Sequence, residues 1–507
     1  MNDNFIQGKP RWLSAYPNEG TKDYFGYRFY RQPLRALLVR GAAANNFKNP
    51  KSLIYFAAFT YAFRKNNNIK PEIALSNHQA TLWNQWHKVA NYLFVINYYA
   101  EYKNVPDAGF TGANEEFHIH FRGFHQAKAG QYDINATFDR FYPDQRKWGY
   151  LTQFWLPPLK YFRCVLDVVN CVSGEYAKDC YDLLSSYTSW DVFIKVLMSG
   201  KIDRAELHSI QQIIDCKDLS IEEQALARRM IFDGEDVTEG ENDNYKESYR
   251  LLEKLNKEGL EGFIPQKNED YATIFSYAHL KNIPIGKNDL AWKILLSSLY
   301  FEIGLNRLFS FLSNVSSDRV IEEFLLEKNI TESISNWLIK TGFSGTLTDV
   351  MAQWRAMNLK DISAYKDLSA RMFDGEDLES FIDGLLQGYM ISQVKLSMEE
   401  KQSEHYLRLT DEYHYFAPQP FFKNTKEIEN KPFDVFIIET INRIINEQFD
   451  FSLVRMNMGQ KAKFILMKSE FKNEYIFQVD AEKFKENRGI IDMIDATLCL
   501  WKSAGAF

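Results

Sequence analysis

The apolar run from Ala291 to Leu312 can be only a membrane span or a helix buried inside protein. It is long enough to cross a hydrocarbon layer, yet it carries Lys293, Glu302, Asn306 and Arg307, and charges at that depth are expensive. We therefore read it as a core helix with one wet edge, which obliges the rest of the chain to cover it. The earlier run from Ser52 to Phe63 lies between Lys51 and Arg64 and is too short to span. The N-terminal MNDNFIQGKPRW lacks the apolar core and small-residue cleavage site of a secretory signal. Five scattered cysteines (Cys164, Cys171, Cys180, Cys216 and Cys499) match neither a disulfide framework nor zinc-binding pairs. The expectation is a cytoplasmic protein in a reducing compartment, without membrane contact. Abundant Asn, Lys, Ile and Phe point to an AT-rich, bacterial genome.

An apolar fraction of 45% with 15% aromatics excludes a mainly disordered chain. Only 25 Gly and 14 Pro in 507 residues argue for long helices over a turn-dense β-sandwich. The predicted fold class is mainly α, a multi-helical body with a small C-terminal α/β module, in three segments: 1–215, 216–420 and 421–507. In the first segment, Leu34, Leu37, Leu38, Leu53, Phe56, Phe59, Tyr61 and Phe63 supply helical apolar positions. Leu82, Trp86, Val89, Leu93 and Ile96 form one stripe, and a helix is expected from Leu159 to Val172 after Pro157-Pro158. In the second, Ser220 and Glu223 have capping-box spacing. The near-copies ending Phe232-Asp-Gly-Glu-Asp236 and Phe373-Asp-Gly-Glu-Asp377 read as helix-turn-helix corners with Gly in a left-handed cap, since they lack calcium-loop ligand spacing. Thr238 to Ser248 reads as an exposed loop. In the third, a helix from Asp434 to Glu447 precedes strand-like runs at Phe451–Asn457, Lys461–Lys468 and Glu474–Asp480. A last helix from Asn487 to Trp501 completes an α-β-β-β-α order.

Three features bear on chemistry. On a strand, His118 and His120 would face the same way and form candidate metal ligands, but no second spaced motif supplies the remaining ligands, and a half-buried edge strand whose imidazoles bond to backbone or solvent accounts for them without a metal. The C-terminal order is similar to the core of restriction-type nucleases, with Glu439 on the helix and Glu470-Phe-Lys472 as the Glu-x-Lys pair, but the strand Asp needed to hold Mg²⁺ does not appear. The third is a charge asymmetry. The chain carries net −7, yet no carboxylate falls between Asp23 and Glu72, where nine basic residues do: Arg28, Arg31, Arg35, Arg40, Lys48, Lys51, Arg64, Lys65 and Lys70. Tyr24, Phe25, Tyr27, Phe29 and Tyr30 interleave, a pattern suited to phosphate contact and base stacking, the alternative being that the cations pair with acidic surfaces of the same chain or a partner while the rings are core. Walker, GxSxG, HExxH and zinc-ribbon motifs are absent from the sequence.

The pieces Asp23-Tyr-Phe-Gly-Tyr27, Leu34 to Gly41, Leu53-Ile-Tyr-Phe56 through Phe63, Phe110-Thr-Gly112 and Gly130-Gln-Tyr132 resemble the opening of large helical proteins encoded beside bacterial restriction or anti-phage genes. Arg40-Gly41 stands where that group has Pro-Gly. The resemblance implies one subunit of a multi-protein defence system and carries over no catalytic residue. The expected function is a non-catalytic scaffold or recognition subunit contacting DNA, RNA or other subunits through Arg28, Arg31, Arg35, Arg40, Lys48, Lys51, Arg64 and Lys65, with no cofactor and no resident metal. The rivals are a metal-dependent nuclease or hydrolase using His118/His120 or Glu439/Glu470/Lys472, and a purely protein-binding helical adaptor.

Overall fold

Helix dominates, as the sparse Gly and Pro predict: the described residues form sixteen helices and seven strands of two to four residues. The structure is a computed structural model and describes residues 50–70, 73–101, 132–134, 159, 162–167, 170–214, 219–232, 239–286, 289–316, 319–375, 378–394, 421–422, 428–457, 464–469, 472–478 and 489–505. In chain order the elements begin α1 (Pro50–Asn66), α2 (Asn77–Glu101), β1 (Tyr132–Asp133), β2 (Val165–Asp167), β3 (Val172–Ser173), α3 (Ala177–Ser185) and α4 (Trp190–Ser199). Next come β4 (Lys201–Ile202), α5 (Arg204–Ser209), α6 (Gln211–Ile214), α7 (Ile221–Phe232), α8 (Glu239–Glu258), α9 (Asn268–Lys281) and α10 (Asp289–Asn314). Then follow β5 (Val320–Glu322), α11 (Glu323–Thr341), α12 (Leu347–Asn358), α13 (Ile362–Asp374) and α14 (Leu378–Gln393). The chain ends with α15 (Phe433–Asn457), β6 (Leu466–Lys468), β7 (Glu474–Phe477) and α16 (Gly489–Ser503). The described residues fall into two compact units, one up to 246 together with those from 492 on, the other from 247 to 491. Helix α7 buries Leu226, Ala227 and Met230 and packs on α1, which ties it to the first unit.

The first unit is built around α1. Pro50 opens it, where a missing N–H is harmless, and small Ala57, Ala58 and Ala62 let neighbours approach. Its sides are buried almost throughout, and its rings meet those of α2: Phe59 stacks on Trp83 at 5.3 Å, while Phe63 lies 5.0 Å from Trp83 and 5.3 Å from Trp86. On α2 the expected stripe is present in its described part, with Trp86, Val89 and Leu93 buried and Leu82 half-buried, and the Ile96 side chain lies outside it. His87 sits in the same aromatic packing, 5.5 Å from the Trp83 ring, with no hydrogen-bond partner for Nε2 among the described residues. Desolvation there pulls its imidazole from 6.5 down to about 3.

The helix expected from Leu159 to Val172 is instead, in its described part, the antiparallel pair β2–β3. Asp167 accepts from the Asn170 backbone and side chain, at 3.2 and 2.8 Å, and that local turn competes with helical hydrogen bonds. Gly174 follows where a Cβ would fall 1.7 Å from the Arg163 carbonyl oxygen, so only glycine fits. Ser220 and Glu223 form the expected capping box at the head of α7, with Ser220 N–H to Glu223 Oε2 at 2.9 Å and Glu223 N–H to Ser220 Oγ at 3.2 Å. Residues 239–248, read from sequence as loop, are the first turns of α8, whose later Ser248, Leu251, Leu252 and Leu255 give it a buried stripe.

In the second unit α10 runs between α9 and α14. It is the core helix expected from Ala291 to Leu312, but it has no wet edge: Lys293, Glu302, Asn306 and Arg307 are all buried. Part of their polarity is met inside, while Asn306 Nδ2 finds no hydrogen-bond partner among the described residues. Lys293 pairs with Asp289 at 2.8 Å, and Arg307 donates to the Phe373 carbonyl at 2.6 Å. Helices α10 and α14 approach so closely that a Cβ on Gly384 would lie 2.8 Å from Gly304 Cα and 2.8 Å from the Tyr300 carbonyl oxygen. The second Phe-Asp-Gly motif does form a corner between α13 and α14, but Gly375 is extended (φ −73°, ψ 149°), not left-handed. Glycine is needed there because Ser380 Oγ and the Arg371 carbonyl occupy the space of a side chain.

The C-terminal strands also differ from expectation. Phe451–Asn457 is not a strand but the tail of α15, because the buried stripe Ile441, Ile444, Gln448, Ser452 continues at helical spacing. The sheet nonetheless has three antiparallel strands, in the order β5-β7-β6. Its third member is Val320–Glu322, in register Val320↔Ile476, Ile321↔Tyr475 and Glu322↔Glu474.

Two outcomes follow from this packing. Gly384→Ala should destabilise the protein by about 1–3 kcal/mol, the usual cost of overpacking against groups that cannot turn aside, seen as a lower urea midpoint. His87 binds its proton more weakly folded than unfolded, so stability should rise with pH between about 3 and 6.5 and level off above. Its contribution to that slope approaches ~1.4 kcal/mol per pH unit, and denaturant titrations of His87→Phe across the window should show it gone.

Candidate functional site

Three of the eight expected contact residues lie among those described, all on α1, and they have separate fates. Lys51, at the first turn, is 1% exposed. Its ammonium pairs with the Glu223 carboxylate and donates to the Gln212 carbonyl at 3.2 Å. The Tyr187 hydroxyl donates to the same Glu223 oxygen at 2.9 Å, and burial pushes that phenol up to about 12, so it stays a donor at neutral pH. Glu223 therefore closes the capping box with one oxygen and gathers an ammonium and a phenol with the other. Arg64 is 4% exposed and donates to four backbone carbonyls: Cys171 (2.5 Å), Asn170 (3.0 Å), Ile73 (3.1 Å) and Lys70. Both cations are structural, and neither belongs to an outer face. The reason is distance along the chain, since a sequence shows a cation's charge but not a carboxylate or a row of carbonyls that folding brings to it.

Lys65 is the exposed one. It donates to the Tyr181 hydroxyl at 3.0 Å and lies 4.3 Å from that ring's centroid, and the hydrogen bond raises its pKa further. Tyr181 in turn meets Tyr61 at 5.2 Å and, edge-on, Trp190 at 5.5 Å. Beside it on α3, Lys178 pairs with Asp182 at 2.7 Å, and Arg229 of α7 pairs with Asp179 and lies 5.5 Å from the Tyr176 ring. This is a strip of exposed cations backed by aromatic rings. Its ion pairs are solvent-facing and weak, so a phosphate could replace the carboxylates at little cost. The signal missed in the sequence was at the head of α3: Tyr176, just before the helix, together with Lys178 and Tyr181, repeats the cation–aromatic pattern of the N-terminal stretch.

Arg28, Arg31, Arg35, Arg40 and Lys48 lie outside the described residues, as do His118, His120 and Glu470. The remaining members of the nuclease-like set have their own partners: Glu439 pairs with Lys431 at 2.6 Å, and Lys472 with Glu474 at 3.7 Å. Among the described residues no group of three or more His, Cys, Asp or Glu could hold a metal ion. Cys164, Cys171 and Cys180 are free thiols pushed well above their ordinary range by burial, chemically quiet positions.

Within the second unit, a cleft of about 690 Å³ opens among α9, α12 and α14. Leu280, Met351, Met390 and Val394 give it apolar surface, and Arg355 gives it charge. No described helix is long and apolar enough to cross a membrane. No family model, curated protein or solved structure matches the chain.

The Lys51–Glu223 pair has a measurable consequence. Lys51→Met alone strands a buried carboxylate and should cost about 3–5 kcal/mol, whereas Lys51→Met with Glu223→Leu should recover most of the loss. A double-mutant cycle in urea checks this.

Proposed function

We propose that this chain is a non-catalytic recognition subunit of a bacterial defence-type multi-protein complex, and that it meets nucleic acid through its cationic N-terminal stretch. The observation that carries the reading is Lys65 held outward on the Tyr181 ring, next to Tyr61 and near Lys178 and Arg229. A cation seated on an aromatic plane can meet a phosphate while neighbouring rings offer surface to a base. Support also comes from the carboxylate-free stretch between Asp23 and Glu72, and from the resemblance of its opening motifs to proteins encoded beside restriction and anti-phage genes. With Lys51 and Arg64 committed inside, the contact set becomes Lys65 with Arg28, Arg31, Arg35, Arg40 and Lys48. Chemistry on the nucleic acid would then belong to another subunit.

Fluorescence anisotropy with a labelled duplex and the matching single strand tests the reading. Binding should weaken steeply with salt, and each lost phosphate contact should reduce the log–log slope by about 0.7–0.9. Arg28/Arg31/Arg35→Glu should abolish binding, and Lys65→Glu should weaken it about threefold to tenfold, with circular dichroism unchanged in both. Wild-type affinity in the triple variant, or no binding by the parent protein, overturns the proposal.

A further inference from the structure

The cleft among α9, α12 and α14 has a composition that selects its ligand. Its volume, about 690 Å³, is in the range of small-molecule sites. Among its lining residues Arg355 is the one formal cation, and no Asp or Glu is present. Arg355 is exposed and makes no side-chain hydrogen bond or ion pair with the described residues, unlike Lys51, Arg64 or Arg307, whose charges are met internally. The C-terminal ends of α9 and α14 also border the cleft, and their partial negative charge opposes an anion. That opposition is small beside a full guanidinium charge. At α9 it is reduced further, because Asn282 in the left-handed conformation and Ile283 return their N–H groups to the Ala278 and His279 carbonyls. The Tyr389 hydroxyl proton is already committed to Glu429 at 2.7 Å, leaving the ring as what Tyr389 offers.

The apolar part is equally specific. Met351 and Met390 are buried side chains at the cleft, and unbranched, polarizable thioethers adapt to the shape of an irregular apolar body. An apolar body with a planar oxyanionic head satisfies both halves, since a guanidinium meets a carboxylate with two parallel hydrogen bonds. We propose that this cleft binds a small amphipathic carboxylate, its head on Arg355 and its hydrocarbon chain across Met351 and Met390. The site is independent of the nucleic-acid reading, and either can fail without the other.

Isothermal titration calorimetry with decanoate, kept below its aggregation range, and with uncharged 1-decanol provides the test on the full chain. Decanoate should bind once per chain and about tenfold or more tighter than decanol. Arg355→Ala should abolish that preference while leaving decanol binding unchanged, and Arg355→Lys should retain part of it. Ala352→Glu, an exposed position one helical turn before Arg355, should pair with the arginine and weaken decanoate selectively. Both positions are exposed, so the fold should persist by circular dichroism. Absence of saturable decanoate binding, or equal decanoate affinity in Arg355→Ala, overturns the proposal.

Discussion

An ammonium and a carboxylate drawn into an apolar core attract each other strongly, but each loses its hydration shell. Such a pair is tolerable where the remaining donors and acceptors find partners too. Lys51 and Glu223 meet that condition through the Gln212 carbonyl, the Tyr187 hydroxyl and the Ser220 backbone. The arrangement ties the first turn of α1 to the first turn of α7. Apolar contact is non-directional and would tolerate sliding. A charge pair with a phenol and a cap attached would not, so the register of these helices rests on Glu223. Arg64 does the same at the other end of α1, where its guanidinium fastens the loop ahead of β3 through backbone oxygens.

This changes what a basic stretch means. Of the four described cations between Asp23 and Glu72, Lys51 and Arg64 hold the interior together, while Lys65 stands outward on a tyrosine and Lys70 is exposed. Lys65 is set among aromatic rings, and the neighbouring helices α3 and α7 carry Lys178 and Arg229 in solvent-facing pairs. Recognition of a polyanion asks for that kind of surface, in which charges are accessible and their present partners are easily exchanged.

What could be read from sequence was local. The capping box at Ser220 and Glu223 spans three residues, the stripe on α2 repeats within single turns, and the helical class follows from such short-range patterns. What could not be read depended on partners far along the chain. Glu223 lies 172 residues from Lys51, and the Asn170 and Cys171 carbonyls lie more than a hundred from Arg64. The polar residues of α10 looked like a solvent edge because only the fold places Phe373 opposite Arg307. Phe451–Asn457 looked like a strand because its alternation is also compatible with a helix whose stripe began earlier, at Ile441. The cleft was invisible for the same reason: Arg355, Met351 and Met390 come together only when α12 and α14 do.

The sheet of the second unit carries a cost in time. Val320–Glu322 pairs with a strand that the ribosome adds about 150 residues later, which at roughly 5–20 residues per second means on the order of ten to thirty seconds. Through that interval the nascent chain displays open backbone donors and acceptors just ahead of α11, a template for mispairing with any extended segment nearby. Synthesis of this protein therefore has a defined vulnerable stage, one that ends only when Glu474–Phe477 emerges, and it is there that a chaperone would have most to protect.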